Sequence, residues 1–331
     1  MPFRDIAGHR HLLDLVAGAA FRGTLPPSLI FAGPEGVGKR MAALALAQAL
    51  NCLAPAGNDA CGQCASCKRI ARGVHADVML IEPGDTGSIK VDQVREAIER
   101  AAYRPFEGRR RVVIIDSADE ILVEAQNALL KTLEEPPPAS VFVLVTSRPD
   151  VLLPTVRSRC QRLRFGRLAP GEVAQVLMQA HEYGDTDAHA AAALSDGSVG
   201  RALEGGTESF VDAREAAAQL LETAGRSEDP RRRLEGARAL TGGGRGSTDR
   251  DELSRRLRAA SSLLRDLGVL LSGADAGALA NSDLRPLLER LRPSFDGDRA
   301  VRAFAAVDRA LAALDRNASP KIVADWVSFQ I

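Results

Sequence analysis

Apolar runs with the length of buried strands alternate with helical stretches over the first half of the chain. The strand-like runs cover 29–32, 78–81, 111–115, 141–145 and 161–165. Helical periods begin near Lys39 and extend over 91–102 and 123–133, and three prolines at 136–138 end the last of them. Alternation of this kind is typical of a parallel sheet covered by helices, so we predict an α/β domain over residues 1–166.

The pattern of hydrophobic positions changes after residue 166. Ala, Leu, Arg and Glu then recur in helical periods, with turn signals at Gly184-Asp185 and Asp196-Gly197. No strand is predicted in this part of the chain. We predict a small helical domain over 167–206 and a larger all-α bundle over 207–331.

Charge and composition narrow the classes of function. Lys and Arg together number 43, as do Asp and Glu, so the chain as a whole has no attraction for nucleic acid. No apolar run reaches the roughly 18 residues that suggest a membrane span. The N-terminus also lacks the charged and apolar segments of a signal peptide, so we expect a cytoplasmic protein without membrane contact.

A glycine-rich loop follows the first strand-like run and leads into a helix. It reads Gly-Pro-Glu-Gly-Val-Gly-Lys, so Gly33, Gly36 and Gly38 would let backbone N–H groups converge on phosphate. Lys39 would reach the terminal phosphates of ATP or ADP. Arg40 stands where a P-loop has the Ser or Thr that binds magnesium, although its guanidinium is itself able to contact phosphate. We therefore expect weak or no ATP or ADP binding, and hydrolysis that is impaired or lost.

The second element of an ATPase site is also incomplete. An acidic pair normally ends the strand beside the P-loop, where Asp orders the magnesium shell and Glu polarises the attacking water. Asp116 ends the strand-like run 111–115, but Ser117 follows it. Taken alone, Asp116 is a turn residue after a buried strand; taken after a P-loop, it is interpreted as the remnant of a Walker B motif. Both departures predict a chain without independent ATPase activity.

Four cysteines lie close together in the sequence. They are Cys52, Cys61, Cys64 and Cys67. Four thiolates can close a tetrahedral zinc site that leaves no position for substrate, so we predict a structural Zn module at about residues 51–68. A cysteine-rich loop without metal is the alternative. His75 is a competing ligand, although four thiolates already complete the site.

Two further motifs carry a family resemblance. Residues 127–137 read Asn-Ala-Leu-Leu-Lys-Thr-Leu-Glu-Glu-Pro-Pro, and residues 158–160 read Ser-Arg-Cys. The chain thereby strongly resembles the bacterial clamp-loader ATPases of the AAA+ class. The resemblance implies an α/β P-loop AAA+ domain with a parallel sheet, a zinc module at this place, a small helical lid domain and an all-α C-terminal collar for oligomerisation. It also implies that Thr146 is sensor 1 and Arg201 is sensor 2, although Arg201 taken alone is an exposed helix residue.

Within this family the chain is similar to the delta-prime subunits of the DNA polymerase III clamp loader, because it lacks the magnesium and base residues and keeps Ser-Arg-Cys. Active gamma or tau subunits would have Ser or Thr at position 40 and Glu at position 117. The resemblance makes Arg159 an arginine finger that reaches the γ-phosphate held by a neighbouring subunit. By themselves, the arginines at 157, 159, 162, 164 and 167 also fit a solvated charge run or a strip that contacts phosphate without specificity.

The implied function is that of a largely noncatalytic subunit of the replicative sliding-clamp loader in the DNA polymerase III holoenzyme. Its partners would be the gamma/tau and delta subunits and, through the complex, the sliding clamp and primer-template DNA. Two alternatives stay open. One is an active gamma/tau-like ATPase motor, which Lys39 and Asp116 favour. The other is a zinc-stabilised interaction protein with a vestigial P-loop.

Overall fold

The structure is a computed structural model that describes residues 1–84, 86–204, 207–226, 229–240, 247–274, 279–316 and 318–331. The chain divides into two compact units, Met1–Leu168 and Ala169–Ile331. Each unit has a hydrophobic core of its own.

A parallel five-stranded sheet forms the centre of the first unit. Its strands are β1 (Ser28–Ala32), β2 (Val78–Ile81), β3 (Arg111–Ile115), β4 (Ser140–Thr146) and β5 (Gln161–Arg164). They lie in the order β2-β3-β4-β1-β5, and all neighbouring pairs run parallel. The predicted fold class is therefore confirmed. Each predicted strand agrees with the observed one to within a residue at either end.

Helices cover both faces of this sheet. They are α1 (Arg10–Arg22), α2 (Lys39–Asn51), α3 (Ala65–Ala71), α4 (Val91–Ala102), α5 (Val123–Glu134) and α6 (Pro154–Arg157). Helix α5 ends two residues before Pro136, because a proline ring disfavours helical geometry in the preceding residue and removes an N–H donor.

Alternate residues of β1 supply the two halves of the core of the first unit. Leu29 and Phe31 pack with Leu46 of α2 on one face, whereas Ile30 packs with Leu129 of α5 on the other. Because the strands are parallel, the loops that follow β1, β3 and β4 leave the same edge of the sheet. That edge is where ligands bind in open α/β sheets.

The second unit is a bundle of helices, and the described residues of this unit contain no strand. Its helices are α7 (Pro170–His181), α8 (Asp185–Leu194), α9 (Val199–Glu204), α10 (Thr207–Arg226), α11 (Pro230–Leu240), α12 (Ser247–Leu271), α13 (Arg285–Leu291), α14 (Gly297–Asp315) and α15 (Pro320–Gln330). Its core consists mainly of leucines, among them Leu220, Leu257, Leu263, Leu288 and Leu314.

The predicted boundary between a lid and a collar falls at residues 205–206, which lie outside the described residues. Helix α8 packs against α7 and α9 and also against α10 and α12, so it connects the two predicted parts. The division of this unit into a lid of 167–206 and a collar of 207–331 stays a prediction. Among the described residues, no helix combines the length and the apolar character that a membrane crossing demands.

Candidate functional site

The P-loop connects β1 to α2 at the carboxyl edge of the sheet. Gly36 and Gly38 have φ values of 69° and 95°, a backbone region that favours glycine. Gly33 is held against β5: a Cβ at this position would lie 2.2 Å from the backbone oxygen of Phe165. The N–H of Gly33 also donates to the carbonyl of Thr146 at 3.2 Å. The glycines are thus required by the geometry of the loop itself.

Lys39 is folded onto its own loop. Its side-chain Nζ donates to the carbonyl of Gly33 at 2.7 Å and also to the carbonyl of Pro34. Burial lowers the pKa of the Lys39 ammonium, and nearby carboxylates, first among them Glu35, oppose that shift. The residue is only 7% exposed, so its ammonium lies inside the loop, where it would contact a bound phosphate.

Arg40 reaches the end of the neighbouring strands. Its NH1 donates to Oδ2 of Asp116 at 3.2 Å and also donates to Oε1 of Glu82. Ile81 and Ile115 are register partners in β2 and β3, so the next residues, Glu82 and Asp116, leave the sheet side by side. Arg40 therefore brings a cation to Asp116, the predicted remnant of a Walker B motif. Sequence patterns missed Glu82, although an acidic residue directly after a predicted strand could have indicated it.

Ser117 does not provide a base. It has a left-handed backbone with φ 52°, and its N–H donates to Oδ1 of Asp116 at 3.0 Å. The next acids along the chain are Asp119 and Glu120. Arg148 donates to Glu120 at 2.6 Å and to Asp119 at 3.0 Å, so both carboxylates already have a cationic partner.

Asp119 is a second residue that the sequence patterns did not single out. Its Oδ1 accepts a hydrogen bond from Oγ1 of Thr146 at 2.7 Å and from the N–H of Ser147 at 3.3 Å. Burial raises the pKa of the Asp119 carboxyl, but hydrogen bonds from Thr146 and Arg148 outweigh it, and the pKa lies below its usual range. Asp119 thereby fixes the end of β4, where the predicted sensor 1 residue lies. Its partners are 27 to 29 positions away, beyond the reach of local patterns.

Arg159 lies between α6 and β5, with its side chain 32% exposed. Nε and NH2 donate to Oε2 of Glu134, and NH1 donates to the carbonyl of Thr155. The adjacent Arg157 pairs with Asp150 at 2.7 Å. Burial raises the pKa of Cys160 to about 12, so this thiol is inert packing beside the arginine.

The four cysteines converge around one point. Their Sγ atoms all lie within 4.8 Å of one another. Backbone N–H groups of Cys61 and Cys64 donate to the sulfurs of Cys52 and Cys61 at 3.2 and 3.3 Å. Cys52 and Cys67 are buried, and no disulfide joins any of the four. Four free thiols at this spacing fit a tetrahedral metal ion such as zinc.

His75 is not part of this cluster, and both of its ring nitrogens have other partners. Its Nδ1 accepts from the N–H of Asp77 at 3.1 Å, and its Nε2 lies 3.1 Å from Oγ of Ser66. The cysteine module is instead anchored to the N-terminal segment. Asp59 accepts from the backbone N–H groups of Phe3 and Arg4, both at 3.0 Å.

Arg201 belongs to the second unit and is the third residue of α9. Its N–H donates to Oγ of Ser198 at 3.2 Å, and its NH1 lies 3.8 Å from Oδ2 of Asp196. Its side chain is 55% exposed. The role of sensor 2 stays a prediction for this residue.

Comparison with known proteins identifies the first unit. The family model described as DNA polymerase III, delta subunit matches residues 8–169. The tau subunit of DNA polymerase III from Bacillus subtilis is 36% identical over 166 residues, which are 50% of this chain and 29% of that protein. The delta' subunit from Pseudomonas aeruginosa is 37% identical over 191 residues, which are 57% of this chain and 58% of that protein. Residues 8–169 therefore match this family and are similar to clamp-loader subunits of DNA polymerase III.

The clamp-loader match covers the sheet, the P-loop, the cysteine module and Arg159, and it ends where the first unit ends. The chain spans less than two thirds of the length of the tau and delta' relatives. A solved gamma subunit-related protein from Thermotoga maritima covers 96% of this chain and 97% of its own, at 19% identity and a TM-score of 0.44. The tau and delta' relatives have nearly equal identity to the chain, so overall similarity does not separate a tau-like from a delta'-like subunit.

Proposed function

We propose that the chain is a delta-prime-like subunit of a DNA polymerase III clamp loader, that it does not turn over ATP by itself, and that it supplies Arg159 to the ATP site of a neighbouring subunit. The contact of Arg40 with Asp116 carries the first half of this proposal. The partly exposed guanidinium of Arg159 carries the second half.

Magnesium-dependent hydrolysis requires an aspartate that is free to order the metal shell and a base that is free to accept a proton. Here Oδ2 of Asp116 accepts from Arg40 and Oδ1 accepts from the N–H of Ser117. Asp119 and Glu120 are paired with Arg148, so neither replaces the missing base. The site therefore lacks both functions in the chain as it stands.

The partly exposed Arg159 suits a role in trans. A planar guanidinium offsets the charge that develops on a transferring γ-phosphate, and it does so for a nucleotide held by another subunit as well as for its own. Glu134 and Thr155 hold the side chain in one orientation at the surface of the first unit. The paired neighbour Arg157 offers a control for a merely structural role.

The partners in this proposal are gamma/tau and delta subunits, with the sliding clamp and primer-template DNA reached through the complex. Structural zinc in the four-cysteine module would stabilise the first unit, because Asp59 connects that module to the N-terminal segment. The P-loop would be retained because it stabilises the fold or because it binds nucleotide without hydrolysing it.

The test is the ATPase rate of the complex assembled with its gamma/tau and delta partners. Arg159→Ala should lower that rate while the complex stays assembled on size-exclusion chromatography, and Arg157→Ala should leave it near the wild-type value. An unchanged rate with Arg159→Ala would contradict the role in trans. ATP turnover by the isolated chain that Lys39→Ala abolishes would contradict the noncatalytic assignment.

A further inference from the structure

The positive charge beside Asp116 is the side chain of Arg40. In a P-loop ATPase a hydroxyl of the loop and the strand-end aspartate hold a divalent ion, which neutralises phosphate oxygens. In this chain the Arg40 guanidinium contacts both Asp116 and Glu82, the two acids at the ends of β3 and β2. The chain therefore lacks the hydroxyl and has a fixed positive charge at the acid that would hold the ion.

A divalent ion at Asp116 would meet two obstacles. The first is the absence of a hydroxyl ligand from residue 40. The second is like-charge repulsion, since the NH1 atom of Arg40 lies 3.2 Å from an oxygen of the Asp116 carboxylate. Removing Arg40 from this position would leave Asp116 and Glu82 adjacent and without a cation between them.

Arg40 also has donors left for a ligand. Within the described residues only its NH1 atom makes hydrogen bonds, so Nε and NH2 keep their donors. The side chain is 44% exposed, which leaves it accessible from solvent. Guanidinium groups bind phosphate through paired N–H donors, and the P-loop with Lys39 lies directly before Arg40.

We propose that the Arg40 guanidinium takes the place of the divalent cation, so that this P-loop binds the phosphates of a nucleoside di- or triphosphate without magnesium. The inference rests on the P-loop site of the proposed function and is independent of the role of Arg159. It assigns Arg40 as a phosphate-binding residue and as the determinant of metal independence.

Isothermal titration calorimetry of the full chain tests this proposal, with ADP and ATP as probes in EDTA and in magnesium. The dissociation constant of the wild-type chain should differ by less than about threefold between the two buffers, which is about half a log unit. Arg40→Ser should weaken binding in EDTA by about tenfold or more, and magnesium should restore much of that loss. Arg40→Lys, which keeps a cation, should bind in EDTA better than Arg40→Ser.

The control is Arg95→Ser, the same substitution at an exposed arginine whose ion pair among the described residues is with Asp92 of the same helix, α4. It should behave as the wild-type chain in both buffers. A tenfold gain in wild-type affinity on adding magnesium would overturn the inference, and so would wild-type affinity of Arg40→Ser in EDTA. Absence of wild-type binding in both buffers would also overturn it. The ATPase assay of the assembled complex would still decide the role of Arg159 separately. The comparison of wild-type affinity in EDTA and in magnesium needs no variant, so it still tests the proposal if Arg40→Ser fails to fold.

Discussion

Arg159 and Glu134 are joined by two hydrogen bonds at the surface of the first unit. Nε and NH2 of Arg159 donate to Oε2 of Glu134 at 3.2 and 2.9 Å. Glu134 ends helix α5 within the motif at 127–137, so the two motifs that carry the family resemblance meet in the fold. Sequence patterns did not single out Glu134, and from this contact we predict that it positions the guanidinium.

Glu134→Ala should lower the ATPase rate of the assembled complex by about two- to tenfold, because ordering a free long side chain costs about 0.5–1.5 kcal/mol. The loss should be smaller than that of Arg159→Ala, since the guanidinium itself remains. Steady-state kinetics at saturating ATP, together with size-exclusion chromatography of the complex, measure the effect.

The matched control for Glu134 is its exposed neighbour Glu135, which follows it at the end of α5. Glu135→Ala should leave the rate unchanged. If Glu134→Ala leaves the maximal rate unaltered in an intact complex, Glu134 does not position Arg159.

Asp119→Asn should destabilise the first unit at pH 7 by about 1–3 kcal/mol, because it weakens charge-assisted hydrogen bonds to a buried carboxylate. The side chain of Asp119 is 7% exposed and accepts from Thr146 and Arg148. Urea unfolding of both proteins measures the difference. Glu120→Gln, at the more exposed partner of Arg148, should have a smaller effect.

The stability difference between the wild type and Asp119→Asn should depend on pH. The folded-state pKa of Asp119 lies below its usual range, so the stability that the carboxylate contributes is present above the unfolded pKa of about 3.9. That stability is lost as the pH falls through the folded pKa. The difference between wild type and Asp119→Asn should therefore be constant from about pH 7 to 5 and shrink below about pH 4. A difference that grows toward acid would contradict the assigned ionisation of Asp119.

Local sequence patterns predicted the strands, the P-loop and the cysteine module, because each depends on residues that are close together in the chain. They identified Arg40 as a departure from an ATPase and Asp116 as the remnant of a Walker B motif, but not the contact between the two, which joins positions 76 residues apart. That contact depends on α2 reaching the end of β3, and the further contact of Arg40 with Glu82 depends on β2 lying beside β3. Periodicity indicates that strands exist, whereas the order β2-β3-β4-β1-β5 is decided by packing of the whole unit.

Replacement of Cys61 and Cys64 by Ser should remove bound metal and lower the thermal stability of the first unit. We expect about one zinc per chain in the wild-type protein, because four thiolates complete a tetrahedral site. Mass-spectrometric metal analysis of protein purified without chelators measures the stoichiometry. Cys160→Ala is the control. Cys160 is not part of the cluster, so this variant should retain the metal. Wild-type protein without zinc under these conditions would refute the metal site.

Gly33→Ala should destabilise the first unit even in the absence of nucleotide. The new Cβ would lie 2.2 Å from the backbone oxygen of Phe165, and both residues directly follow the last register pair of β1 and β5, Ala32 and Arg164. Overpacking of this kind typically costs about 1–3 kcal/mol and sometimes more. Gly166→Ala is the matched control, because a Cβ there meets no atom within 4 Å. Chemical unfolding without ligand should separate the two variants. Equal stability would show that Gly33 is required only for phosphate, whereas a large loss confined to Gly33→Ala would show that a P-loop glycine is kept by the fold itself.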